Sequence, residues 1–303
     1  MKITFLGTGG SFPTKGRGVT SIAIQREGEL LLFDCGEGTQ RQMTKTAVSP
    51  MKIDSIFLTH FHGDHFLGLP GLIQTLSLMG REEELKVWGP EGAEERMNSL
   101  LEVPVYTKNF EVKVRELSPG DRVDREGYKI KTAETDHSAK GLAYGLIEDQ
   151  RPGKFHPEEA KSLGLEPGPD FSRLQGGESV ELQDGTVVKP EQVLGPSRPG
   201  RKIVYSGDTR PTEGIRNLAE GADVLIHEAT FSSDMADEAE EASHSTTKQA
   251  AEIAKEANVE KLFLTHPSPR YSDVSVLEEE AEEVFQNTTM AEDLMEFKVK
   301  LKK

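Results

Sequence analysis

The chain has 303 residues, with 52 Asp and Glu against 36 Lys and Arg, a formal charge of −16 and a mean hydropathy of −0.52. No apolar run is long enough to span a bilayer, and the opening Met1-Lys2-Ile3-Thr4-Phe5-Leu6-Gly7 does not read as a secretory signal. The single cysteine, Cys35, excludes an intrachain disulfide and points to a reducing cytoplasm.

The acidic balance argues against a nucleic-acid partner if charge is read globally. Charge acts locally, however. The acid is gathered in runs at 82–84, 238–241 and 278–283, which read as solvated faces that keep the chain soluble.

In chain order, short β-like runs fall at 3–6, 21–25, 30–33, 55–59, 85–88, 110–115, 128–132 and 142–147. They resume at 202–206, 222–226, 261–265 and 296–301. Helical periodicity is clearest over 65–79, 246–257 and 274–285. This interleaving predicts an α/β fold with mixed sheets and helices outside. The run Ile56-Phe57-Leu58-Thr59-His60 is echoed by Leu262-Phe263-Leu264-Thr265-His266. Both deliver a histidine at a strand end, a rigid place for a metal ligand.

Residues 151–200 stand apart, with 7 of the 16 prolines and only short apolar pieces. The stretch is too irregular for a packed sheet and too long for an ordinary loop. It reads as a flexible, protruding arm inserted in a single domain spanning 1–303. Small β-like pieces at 178–182 and 186–189 predict partial order.

The chemistry concentrates where the apolar run 56–58 stops at Thr59-His60-Phe61-His62-Gly63-Asp64-His65. Imidazole and carboxylate suit borderline divalent metals such as zinc. His60 and His62, two apart, can converge on one ion; Asp64 and His65, beyond Gly63, face a second. Further candidates each stand just past a β run: His137, Asp208 and His266. His137 completes the first set and His266 the second. Asp208, with two oxygens, can bridge. Two adjacent ions can activate a water near neutral pH and clamp a phosphoryl group. Asp64 can orient that water or accept its proton.

His60-x-His62-x-Asp64-His65, followed by His137, Asp208 and His266, resembles the metallo-β-lactamase superfamily. More narrowly, the chain resembles the short form of ribonuclease Z, the tRNA 3′-processing endonuclease family. The likeness runs over nearly the whole length. It includes Phe33-Asp34-Cys35-Gly36-Glu37-Gly38-Thr39-Gln40, Ser206-Gly207-Asp208-Thr209, His227-Glu228-Ala229-Thr230, His244-Ser245-Thr246, and Thr265-His266 followed by Arg270-Tyr271. Diiron relatives carry a glutamate where this chain has His62, so zinc suits this set better.

The resemblance implies a four-layered αββα sandwich and two zinc ions divided as the spacing suggests. It implies catalysis by Asp64 and by His244 as proton donor. Spacing alone leaves His244 open, since it lies in a serine- and threonine-rich helix-cap segment. Glu228 is expected to orient His244 and raise its pKa. Pro13, Lys15 and Arg17 match the family's proline-x-lysine-x-arginine-asparagine loop, which contacts the acceptor stem; Gly18 stands in place of the asparagine. Arg270 is expected near the scissile phosphate. Gly168-Pro169 resembles the family's glycine–proline arm, which grips the tRNA elbow of the partner subunit's substrate. A homodimer without membrane attachment, acting on precursor tRNA in the cytoplasm, is therefore implied. Two other readings stand beside this one: a related hydrolase of small phosphodiesters or sulfate esters, and a non-catalytic zinc-dependent RNA-binding protein.

Overall fold

A computed structural model describes residues 1–107 and 109–302. The chain forms two compact units. The first comprises Met1–Ile147 and Lys202–Lys300; the second comprises Glu148–Arg201 with Leu301 and Lys302.

Two seven-stranded sheets build the first unit. Its strands begin with β1 (Lys2–Gly7), β2 (Ser21–Arg26), β3 (Glu29–Phe33), β4 (Ile53–Phe57), β5 (Leu85–Gly89) and β6 (Val112–Glu116). There follow β7 (Arg122–Arg125), β8 (Tyr128–Glu134) and β9 (Leu142–Glu148); β10 (Val180–Glu181) and β11 (Val187–Val188) belong to the second unit. The set closes with β12 (Lys202–Tyr205), β13 (Val224–Glu228), β14 (Leu262–Thr265), β15 (Thr288–Met290) and β16 (Glu296–Lys298). One sheet has the order β16-β1-β2-β3-β4-β5-β6, the other β15-β14-β13-β12-β9-β8-β7. Strands β3 to β6 run parallel, as do β12 to β15.

Alternation along each strand creates the layers. Leu31 and Phe33 of β3 join Ile203, Tyr205, Val224 and Ile226 in a core between the sheets. Leu30 and Leu32 turn the other way, onto Leu72 and Leu76 of a helix at Leu69–Leu78 and Met97 of one at Ala93–Glu102. In the second sheet, Leu225 and Leu264 pack on Ile215, Ala250, Ala254 and Leu277 from helices at Glu213–Ala219, Thr247–Glu256 and Ser275–Glu282. The result is the expected helix–sheet–sheet–helix sandwich. Buried on both faces, its parallel strands read as continuous apolar runs. Each fully buried Leu or Phe contributes roughly 2 kcal/mol.

The helix expected over 65–79 is broken in two, α2 (Gly63–Phe66) and α3 (Leu69–Leu78), following the five-residue α1 (Thr39–Met43). Gly68 donates its N–H to Cys35 O at 2.9 Å instead of to its own helix. Pro70 then has no N–H to offer. A Cβ on Gly68 would sit 2.1 Å from Gly36 O, so this crossing needs glycine. Among the described residues, no helix is long and apolar enough to cross a membrane.

The second unit contains the stretch expected to be an irregular arm. It folds around its own small core: Ala160, Leu165, Leu174, Val180, Val188 and Val193. Helices at Pro157–Ser162 and Pro169–Gln175 and a ribbon of β10 (Val180–Glu181) with β11 (Val187–Val188) supply Ala160, Leu174, Val180 and Val188; Leu165 and Val193 come from connecting segments. Three of the seven prolines that make the sequence look irregular, Pro157, Pro169 and Pro190, stand at first helical turns, where their missing N–H costs nothing.

Candidate metal centre

The candidate ligands all follow strands, and most follow the carboxyl ends of parallel ones, where α/β sheets bind ligands. Beyond β4 the chain stays extended through His60, with Leu142 N–H donating to Thr59 O at 2.9 Å. It then turns into α2, with His62 as the extended residue before the helix and Asp64 in its first turn. Asp208 follows β12, His137 follows β8 and His266 follows β14. His266 adopts φ 60°, a left-handed conformation that a non-glycine residue holds only when its surroundings fix it. Its N–H donates to Thr8 O at 2.8 Å.

Hydrogen bonds on the outer side of four imidazoles settle their tautomers. His65 Nδ1 donates to Asp34 Oδ2 at 2.8 Å, and His137 Nδ1 donates to Ser243 O at 2.7 Å. Thr59 Oγ1 donates to Asp34 Oδ2 at 2.8 Å and accepts from His60 Nδ1 at 3.1 Å. Thr230 Oγ1 donates to Glu228 Oε2 at 2.7 Å and accepts from His266 Nδ1 at 3.0 Å. In the neutral imidazole that a metal ligand must be, each Nε2 therefore turns its lone pair inward.

These lone pairs face one another. His62 Nδ1 lies 3.1 Å from both His60 Nε2 and His137 Nε2. His65 Nε2 lies 3.4 Å from His266 Nε2. Asp208 Oδ2 is 3.2 Å from His266 Nε2, 3.3 Å from His65 Nε2 and 3.7 Å from His60 Nε2. Asp64 Oδ2, fixed by Ser11 N–H at 2.7 Å, is 3.2 Å from His266 Nε2. The ligand atoms of His60, His62 and His137 lie within 4.8 Å of one another, as do those of Asp64, His65 and His266 and those of His60, His65 and Asp208. Converging nitrogen lone pairs and carboxylate oxygens repel each other unless a cation stands among them. The donor set therefore fits a metal ion, and the chain is a metal-binding protein.

The electrostatics agree. Burial disfavours charge on His65, but Asp208 and Asp34 overcome it and hold its pKa well above the ordinary histidine range. Burial also opposes ionisation of Asp208, yet His266, His65 and His60 keep its carboxyl well below the usual range. The pocket is a place for positive charge. His60, deeply buried among other imidazoles, is pushed down instead and stays neutral, as a ligand must.

At the rim, His244 Nδ1 donates to Glu228 Oε1 at 2.7 Å. Its ring centroid is 4.8 Å from that of His137 and 5.5 Å from that of His266. Burial resists charging His244, but the Glu228 carboxylate outweighs this and raises the pKa to about 9. Glu228 also accepts from Thr209 N at 2.9 Å and Thr230 N at 3.1 Å, so one carboxylate fixes the loop after Asp208, the His266 tautomer and His244. The cap of the following helix is Thr246, two residues past His244.

Other expected residues lie outside this cluster. Arg17 turns inward: its Nη1 donates to Thr8 Oγ1 at 2.6 Å and to Ala291 O. It ties the 13–18 loop to the body and leaves Lys15 as that loop's exposed cation. Gly18 donates its N–H to Asp293 Oδ2 at 2.7 Å, and a Cβ there would lie 3.3 Å from the same oxygen. Arg270 is exposed, with its guanidinium 5.0 Å over the Phe231 ring. Gly168 and Pro169 open the helix Pro169–Gln175 of the second unit. His227 is buried, with Nδ1 donating to Glu228 O at 2.7 Å. Asp34, Thr59 and Thr230 were not among the candidate site residues. All three lie inside segments already quoted, but their roles depend on partners that spacing does not reveal.

Two family models match: "Anti-Pycsar protein Apyc1" over residues 1–152 and "Beta-lactamase superfamily domain" over residues 185–267. The chain is 51% identical over 300 residues to the ribonuclease Z of Methanosarcina acetivorans, covering 99% of this chain and 98% of that one. It is 47% identical over 300 residues to the ribonuclease Z of Methanothermobacter thermautotrophicus, covering 99% and 97%. Among solved structures, it matches human tRNase Z, short form, with a TM-score of 0.74 and 29% identity over 99% of this chain and 100% of that one.

Proposed function

Because the chain belongs to the ribonuclease Z family of tRNA 3′-processing endoribonucleases, we propose that it cuts precursor tRNA 3′ of the acceptor stem with the help of two zinc ions. His60, His62 and His137 would hold one ion, Asp64, His65 and His266 the other, and Asp208 would lie between them. Bound there, the ions supply an activated water near neutral pH and positive charge for the phosphoryl oxygens.

The chain's own residues do the rest. Asp64, anchored by Ser11 N–H, orients the attacking water and takes up its proton. His244, held through Nδ1 by Glu228, offers its Nε2 proton to the departing 3′ oxygen. The P–O3′ bond breaks, leaving a 3′-hydroxyl on the tRNA and a 5′-phosphate on the trailer. What supports this reading is half-buried His244 paired with buried Glu228 beside two ligand clusters, with Asp208 Oδ2 3.7 Å from His60 of one and 3.2 Å from His266 of the other.

Lys15, Pro13 and Arg270 offer contacts to the acceptor stem and the scissile region, while Arg17 supports their loop from within. The second unit, with Gly168 and Pro169, serves as the arm that grips the tRNA elbow, acting across a homodimer. RNA is read by helix shape and backbone. The setting is the cytoplasm.

The test is a His244→Ala variant with end-mapping of the products. Precursor binding is retained, and cleavage falls about 10²- to 10⁴-fold, the usual worth of a general acid. Unchanged turnover would remove His244 from the mechanism.

A further inference from the structure

Beside the 13–18 loop lies a cleft of about 550 Å³, with α1 as its other wall. Lys15 stands on the loop, Arg41 in the last turn of α1, and Lys45 just beyond it. All three are exposed. The spacing of Arg41 and Lys45 puts them on one face of the turn.

What marks this group is three exposed cations on one cleft, on a chain of charge −16 where the half-buried Arg210 and Arg216 each pair with two acids: Arg210 with Asp136 and Glu240, Arg216 with Glu213 and Glu256. Among the described residues, Lys15, Arg41 and Lys45 form no ion pair. Two acids line the cleft: Glu37, which is exposed, and Asp293, which is already committed. Asp293 accepts from Thr8 N at 3.0 Å and Thr8 Oγ1 at 2.8 Å, and from Gly18 N at 2.7 Å and Gln42 Nε2 at 2.6 Å. Gln42 turns its carbonyl oxygen outward to Lys45 Nζ at 2.7 Å, so the acid's influence is relayed as a neutral contact. At Gly16 and Gly38, nothing lies within 4 Å of where a Cβ would stand, which leaves the backbone open to a ligand.

Both walls of the cleft continue along the chain into segments that touch the metal centre. The same loop begins with Gly10, whose Cβ position is 2.7 Å from the His266 ring, and with Ser11, whose N–H holds Asp64. Lys15 is four residues on, at most about 14 Å of extended chain. The other wall begins at Gly36, packed on Asp64 O, five residues before Arg41.

We propose that this cleft is a phosphate track for the RNA substrate, with Arg41 and Lys45 as positioning cations that grip the backbone flanking the cut. The inference rests on the endoribonuclease reading. Such contacts carry affinity and salt dependence but no base information.

The test is the R41E/K45E double variant of the metal-loaded protein, with R41Q/K45Q as a milder second. On precursor tRNA, KM rises roughly tenfold while kcat holds, and log(kcat/KM) against log[salt] becomes shallower by about 1.5 for two lost phosphate contacts. A small chromogenic diester, too short to reach the cleft, reports an intact metal centre. Substrates with full and one-nucleotide trailers tell the two flanks apart. A deficit lost with the trailer assigns the cleft to the trailer, and a deficit that persists assigns it to the acceptor stem. Wild-type KM and salt slope in both variants, in a protein that does cut precursor tRNA, would overturn the proposal. Failure of the wild type to cut precursor tRNA would instead overturn the function on which it rests.

Discussion

Replacing Asp34 by asparagine keeps the volume of the side chain and removes its charge. Asp34 Oδ2 accepts from Thr59 Oγ1, His65 Nδ1 and Tyr205 Oη, each at 2.8 Å, and Oδ1 accepts from Thr59 N at 2.7 Å. The residue is fully buried. The asparagine does best to leave its oxygen facing the three donors and its NH2 facing Thr59 N–H. That orphaned buried donor costs about 1–3 kcal/mol, and each remaining bond loses about 1 kcal/mol of charge assistance. Easier burial of the neutral amide offsets part of this, so D34N should lose roughly 3 kcal/mol, a large share of a typical domain's stability. Urea unfolding of metal-free protein measures this term alone. A competitive chelator titration measures the second consequence. With His65 no longer held by a carboxylate, metal affinity falls about 10- to 100-fold. A D34N protein with the wild-type urea midpoint and wild-type metal affinity would refute the reasoning, because Asp34 would then fix neither the fold nor the ligand.

Three further outcomes are expected. Gly10→Ala puts a methyl group 2.7 Å from the His266 ring, so His266 must shift; metal affinity, read by the same titration, drops at least roughly tenfold, as for a lost ligand-orienting contact. Glu228→Gln removes the charge that raises His244 to about 9. A donor must carry its proton, so kcat declines as pH rises through that value, and in E228Q the declining limb of the pH–rate profile moves to lower pH; an unmoved limb would show that Glu228 does not set it. Burial pushes the Cys35 thiol up to about 12. A folded-state pKa raised above the unfolded value contributes stability that is fully present below about 9 and lost as pH climbs toward about 12. Thermal melts across that window should show the loss, and native protein at pH 8 should resist alkylation that readily modifies Cys35 in urea.

The sequence makes the metal centre readable because its ligands sit at the ends of apolar runs, and His60 to His65 are packed into a single turn. The αββα layering is visible for the same reason: strands buried on both faces leave continuous hydrophobic stretches. What spacing hides is long-range. Asp34 works through Thr59, His65 and Tyr205, which lie 25, 31 and 171 residues away. Arg17 looks like a free loop cation until Thr8 and Ala291 are seen to claim it. The break after α2 depends on Gly68 meeting Cys35 O and Gly36 O, a crossing that no periodicity records. The second unit looks irregular because its core is only a handful of aliphatic side chains spread between prolines.

The paired centre itself is tested most directly by anomalous diffraction at the zinc edge, on crystals of zinc-loaded protein. Two peaks per chain are expected, one bounded by His60, His62 and His137, the other by Asp64, His65 and His266, with Asp208 touching both. A single peak, or His137, Asp208 and His266 turned away from His60 and His62, would contradict the account.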